Sequence, residues 1–172
     1  MILTGGKIIE EVKAGKIIIT PFDKARITTN SYDLTLGEKL IVYEDEILDP
    51  KKEPKIKEII IPDDGYVLER AEFVLGHSNE FVGSDFYVPI IHAKSSIARM
   101  GLFIHITSGL FDIGCKCDAT FHLYATMPIR LYKGMKIAQI TFWMCKGDIK
   151  LYNGKYSNDK GPVASKIYKD FK

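Results

Sequence analysis

Asp118-Ala119-Thr120-Phe121-His122-Leu123-Tyr124 alternates strictly, with Asp118, Thr120, His122 and Tyr124 on one side and Ala119, Phe121 and Leu123 on the other. Successive side chains of an extended chain point to opposite faces, so a period of two predicts a β-strand with one face on a core and one on solvent or a site. Similar short runs closed by Gly, Pro, Asn or Asp recur on both sides of it. They are Lys16 to Thr20, Tyr32 to Leu36, Lys39 to Tyr43, Glu58 to Ile61, Tyr66 to Leu68, Phe73 to Gly76, Phe86 to Ala93, Leu102 to Ile106, Ile129 to Leu131, Lys136 to Trp143 and Ile149 to Leu151. Many short strands with regular turn signals predict a mostly β protein, a sandwich or barrel rather than a parallel sheet with crossover helices.

Two segments depart from this pattern. Ile8, Ile9 and Val12 recur at helical spacing between Thr4, a candidate N-cap, and Gly15, a stop signal, which predicts a helix from Gly5 to Ala14. Ser95 to Met100 reads as one helical turn capped by Ser95, with Ile97 and Met100 facing inward. Asp45 to Lys57 is charged, contains two prolines and reads as a solvated loop.

The 172 residues are 46% hydrophobic and 27% charged, which fits one globular domain with a sizeable core. A net charge of +2 spread along the chain argues against polymeric nucleic acid. No apolar run approaches the roughly 18 residues needed to span a bilayer, and no signal-like N-terminus is present, so a cytoplasmic location is expected. Three cysteines, an odd number, suit a reducing compartment better than a disulfide framework.

Chemistry concentrates between Lys94 and His122. In Lys94-Ser95-Ser96, at the start of a helical turn, backbone N–H groups, two hydroxyls and an ammonium converge where an anion is favoured, and Arg99 follows one turn later. The tail from Lys155 to Lys166 is polar, cationic and glycine-containing, as expected of a segment that closes over a ligand. Asp112, after an apolar run and before Gly114, suits a general base that orients water; a turn aspartate bonding its own backbone has the same signature. His122 points to the polar face of its strand, where neutral imidazole can accept or donate. Cys115-x-Cys117 with a nearby histidine invites a zinc reading, but no second pair at ligand spacing exists and no protein metal site is expected.

These residues resemble the dCTP deaminase and dUTPase superfamily, in its dCTP deaminase-like branch. The resemblance is carried by Met1-Ile-Leu-Thr4, Asn30-Ser-Tyr-Asp33-Leu-Thr-Leu-Gly37, Leu75-Gly76 with Glu80, and Lys94-Ser-Ser-Ile-Ala-Arg99-Met-Gly101-Leu102. It continues through His105-Ile-Thr107, Asp112-Ile-Gly114, Lys133-Gly-Met-Lys-Ile-Ala-Gln139 and the tail from Lys155-Tyr156 to Gly161-Pro-Val-Ala-Ser165-Lys-Ile. It implies a distorted β-barrel or sandwich of the dUTPase-like, β-clip type with a short N-terminal helix and one short interior helix. It also implies a homotrimer with active sites at subunit interfaces, a β domain over residues 1–154 and a closing tail over 155–172. The implied ligand is a deoxypyrimidine triphosphate, dUTP or dCTP, with dTTP as a candidate inhibitor and Mg²⁺ held through the phosphates.

By position, the resemblance assigns Lys94, Ser95, Ser96 and Arg99 to phosphate binding or polarisation of the reacting centre. Asp112 falls to the deoxyribose and the water that attacks the α-phosphorus, and Gln139, Tyr156, Lys160 and Lys166 to nucleotide contacts. Four positions depart from the family pattern: Lys94 stands for arginine, Ser108 for alanine, Cys115 for an aromatic and Cys117 for glycine. A fifth matters more, because His122 stands where the family has the glutamate that shuttles protons in cytosine deamination. The retained Asp112 favours hydrolysis of dUTP to dUMP and pyrophosphate. Deamination of dCTP, alone or combined with that hydrolysis, is the alternative, and a non-catalytic nucleotide-binding homologue is a third reading.

Overall fold

The strictly alternating strand is an interior strand of the larger sheet in a computed structural model, which describes residues 1–105 and 107–171. In chain order the elements are α1 (Gly5–Lys13), β1 (Ile17–Thr20), β2 (Tyr32–Thr35), β3 (Lys39–Tyr43), β4 (Ile56–Ile60), β5 (Tyr66–Leu68) and β6 (Phe73–Ser84). There follow β7 (Tyr87–Ala93), α2 (Ser95–Ala98), β8 (Leu102–Phe103), β9 (Lys116–Ala125), β10 (Ile129–Leu131) and β11 (Lys136–Met144). One sheet runs β4-β3-β6-β9-β8, with β1 also paired to β6; a second runs β2-β11-β7, and β5 pairs with β10. The named strand pairs are all antiparallel. Among the described residues no helix is long and apolar enough to cross a membrane.

Burial along β9 alternates at every step, with Cys117, Ala119, Phe121, Leu123 and Ala125 inward. A single core joins the two sheets and α1: Phe121, Leu123, Val74 and Val82 from the larger sheet meet Tyr32, Leu34, Ile140 and Phe142 from the smaller, with Ile8 from the helix. Burying one such side chain stabilises by about 1.5–3 kcal/mol, so this seam is the main determinant of strand register.

The expected helix is present, and Thr4 Oγ1 accepts from Lys7 N at 3.5 Å while Gly15 has φ of 71° just beyond the C-cap. Other expectations need correction. Among the described residues no sheet closes into a barrel, because the strand orders are open paths. Lys94 rather than Ser95 is the N-cap of α2, without a side-chain cap bond, and Met100 is 56% exposed whereas Ile97 is buried. Ile149 to Leu151 forms no strand, β4 begins at Ile56 inside the expected loop, and β8 ends at Phe103. The end of that expected run at Ile106 lies outside the described residues.

The largest difference is β6, which continues well past Gly76. There Gly76 is a spacer and not a stop: a Cβ would lie 3.0 Å from Leu123 and 3.1 Å from Leu36. The strand then bulges between His77 and Phe81, where Glu80 is fully buried. Its carboxylate accepts from Thr35 N at 2.9 Å and Thr35 Oγ1 at 2.8 Å and pairs with Arg26, so a buried charge locks β6 to β2. Removing one partner of a buried pair costs about 3–5 kcal/mol. Glu80→Gln should therefore lower unfolding free energy in urea by about 3 kcal/mol, at the lower end because Arg26 keeps some solvent contact. A loss below about 1 kcal/mol would reduce the pair to an ordinary hydrogen bond.

Candidate active site

The polar face of β9 forms one wall of a cavity of about 630 Å³, to which it contributes Asp118, Thr120 and His122. Residues Thr107, Ser108, Leu110, Phe111 and Asp112 form the second wall, and Tyr152, Tyr156, Asp159 and Val163 to Ser165 form the third. The second wall is held like a strand against β7: Ile91 N donates to Gly109 O at 2.8 Å and Phe111 N to Pro89 O at 2.9 Å. The chain then turns, Cys115 N donating to Asp112 O at 3.0 Å with Gly114 at φ of 94°. This turn leaves Asp112 exposed at the cavity rim, and among the described residues its carboxylate accepts no hydrogen bond. The Asp112 side chain therefore does not cap its own turn and is free to meet solvent or a ligand in the cavity.

His122 meets a second imidazole, His105, edge to face, with ring centroids 4.8 Å apart and planes at 79°. Their segments are joined by His122 N donating to Ile104 O at 2.9 Å. Burial, then the neighbouring His122 and His92, push the His105 imidazole down to about 4, and burial also lowers His122. Both rings are therefore neutral near neutral pH. The two cysteines flank the first residue of β9, both buried and with no disulfide between them. The Cys117 thiol, by hydrogen bonding to Cys115, lowers the latter's proton affinity and has its own raised. No group of three or more metal-binding side chains is gathered among the described residues.

The tail is fastened to the polar face of β9. Asn158 N donates to Lys116 O at 2.7 Å, Asp118 N to Asp159 O at 3.0 Å, Gly161 N to Asp118 Oδ2 at 2.8 Å and Val163 N to Thr120 Oγ1 at 3.2 Å. Lys166 Nζ bonds both oxygens of Asp159 at 2.8 and 2.7 Å, and its backbone N donates to Tyr156 Oη at 2.9 Å. Lys160 lies over the Phe81 ring at 4.5 Å.

Of the residues expected from sequence, Ser108, Asp112, His122 and Tyr156 line this cavity, whereas Lys94, Ser95, Ser96, Arg99, Gln139, Lys160 and Lys166 do not. Lys94 Nζ is bound to Asp33 at 2.6 Å, and Asp33, Gln139 and His92 stand in one row across the smaller sheet. Ser95, Ser96 and Arg99 are exposed. One chain therefore separates the phosphate-binding candidates from the carboxylate and imidazole. Tyr43, Phe73 and Tyr152 line the cavity without any local sequence signal, Tyr43 and Phe73 brought there by strands β3 and β6 and Tyr152 by the segment after β11, while Asp159 arrives with the tail.

Neutral His105 also sets a pH dependence. The unfolded chain binds a proton near the ordinary value of 6.5 that the folded chain refuses down to about 4. Stability is full above 6.5 and falls as pH drops through that window. Between pH 7 and pH 5 the loss from His105 should be about 2 kcal/mol, read as the change in the stability difference between the parent and His105→Phe. A difference independent of pH would mean that His105 protonates freely in the fold.

A family model described as dCTP deaminase-like matches residues 2–145. A protein of Clostridium acetobutylicum named dCTP deaminase, dUMP-forming, is 44% identical over 172 residues, covering 99% of each chain. One of the same name from Cytophaga hutchinsonii is 40% identical with the same coverage. Among solved structures, the 2'-deoxycytidine 5'-triphosphate deaminase of Agrobacterium tumefaciens superposes with a TM-score of 0.67 at 20% identity. That match covers 84% of this chain and 48% of that longer one, a likeness of fold.

Proposed function

We propose, since this chain belongs to the dCTP deaminase-like family, that it converts dCTP to dUMP by removing both the 4-amino group and pyrophosphate. The observation that carries the reading is the lining of one cavity by His122 and Asp112, a neutral imidazole and an unpaired carboxylate. Each of the two steps needs its own water. In the first, His122 takes a proton from water as the hydroxide adds to C4 of cytosine and returns it to the departing nitrogen, while the proton of the new C4 hydroxyl passes to N3, so that the two hydrogens of water end on ammonia and on N3 of uracil. In the second, Asp112 orients water for attack on the α-phosphorus, giving dUMP and pyrophosphate. The names of the relatives back this combined reaction better than the hydrolysis of dUTP alone favoured by the residues around Asp112.

Among the described residues, the cavity lining contains Asp112, Asp118 and Asp159 and no lysine or arginine. A triphosphate there needs cations from elsewhere, which supports a homotrimer in which exposed Arg99 and the Lys94-Ser95-Ser96 turn of another copy complete the site. Mg²⁺ carried by the phosphates would neutralise part of the charge of the triphosphate.

Incubation with dCTP and Mg²⁺ should release ammonia and pyrophosphate in equal amounts and leave dUMP, and dUTP should give pyrophosphate and dUMP. A second reading, dUTP hydrolysis alone, is favoured by the lowered proton affinity of buried His122. It is established if dUTP is consumed while dCTP yields no ammonia, and binding without either product establishes a non-catalytic homologue.

A further inference from the structure

His105 is an imidazole where the fold has no need of one. Both of its ring nitrogens are fully buried and find no hydrogen-bond partner among the described residues. A phenylalanine would fill the same space beside Phe121, whose ring lies 6.3 Å away at 80°, without leaving polar atoms unsatisfied. What the imidazole does have is His122, held at 4.8 Å, edge to face, on the wall of the cavity. His122 also has the Phe73 ring as a neighbour, with centroids 6.5 Å apart and planes at 35°.

We infer that His105 is a positioning residue for His122, the two rings forming one unit in which His122 carries the proton moved during cytosine deamination while neutral His105 fixes its plane and faces the imidazolium as it forms. This rests on the deaminase reading above. Two imidazolium charges at this separation repel strongly, so the pair holds one proton at a time. The first goes to His122, because His105 remains neutral down to about 4. Other titratable groups around the pair are His92 from β7, which also disfavours charge on His105, and Tyr43, Asp112, Cys115, Cys117, Asp118, Tyr152, Tyr156 and Asp159 on the cavity wall.

The test joins kinetics to direct titration. His105→Phe retains ring shape and burial but removes both nitrogens. The kcat for ammonia release from dCTP should fall about 10²-fold with little change in KM, and this loss should exceed any loss of pyrophosphate release from dUTP. In protein carrying labelled histidine, followed by NMR, His122→Gln should raise the pH at which His105 titrates, because the neighbouring charge is gone. His105→Phe should lower that of His122. The inference is overturned if His105→Phe releases ammonia as the parent does at every pH, or if neither ring responds to loss of the other. Absence of ammonia from the parent protein, with the two titrations still linked, would instead overturn the deaminase reading and leave the pair standing.

Discussion

Asp112→Asn lowers pyrophosphate release from dUTP by about 10³-fold, within the range for removal of a general base. The asparagine has the same shape, and the turn that presents it is formed by backbone alone, from Cys115 N to Asp112 O with Gly114 at positive φ. Nothing in the fold leans on the carboxylate, which is exposed and accepts no hydrogen bond among the described residues. Stability should therefore change by no more than about 0.5 kcal/mol, as for surface positions without special partners. The chemical deficit arises because a neutral amide cannot take the proton of the attacking water. With dCTP as substrate the two steps come apart: ammonia is still released and dUTP, normally consumed, accumulates. Chromatographic separation of dCTP, dUTP and dUMP over time checks both expectations at once. Undiminished dUMP formation would remove Asp112 as the base.

The resulting division of labour explains which parts of the molecule can be read from sequence. The period of two at Asp118 to Tyr124 yields β9, its core face and the outward direction of His122, because alternation is a local property of the chain. Helix α1 is equally local, with its cap at Thr4 and its stop at Gly15. Strand β6 is not, since Gly76 resembles a terminator until Leu123 and Leu36 are seen crowding its missing Cβ. Nor does Glu80 resemble a strand residue until Arg26 and Thr35 close around it.

The site divides in the same way. Asp112, Ser108 and Tyr156 follow from motif order, and the structure brings them to the cavity with His122. Lys94, Ser95, Ser96 and Arg99 lie close to Asp112 in sequence, yet the chain reverses between them through β8 and the segment paired with β7, and they are not among the described residues that line the cavity. Under the homotrimer proposed above, another copy would supply them to the cavity. His105 could be recognised from sequence only as part of a motif, because its contact with His122 is made across paired segments.

His122→Gln and His122→Glu, compared with each other, provide the sharpest test of the base chemistry. The two side chains share size and reach and differ in whether they can exchange a proton. If His122 moves a proton between water and the departing nitrogen, the glutamine variant should release ammonia about 10² to 10⁴-fold more slowly than the parent, while the glutamate variant retains or exceeds parental activity. The imidazole accepts a proton only when neutral, so ammonia release in the parent should decline in acid along a limb set by His122. Burial places that limb below the usual imidazole value. In the glutamate variant, where a carboxylate does the work, the limb should move away from it. Pyrophosphate release from dUTP supplies the internal reference, since a misfolded cavity would lower both reactions together. Equal ammonia rates from the glutamine and glutamate variants would show that the position contributes shape rather than proton transfer, and that the proton moves through another group on the cavity wall.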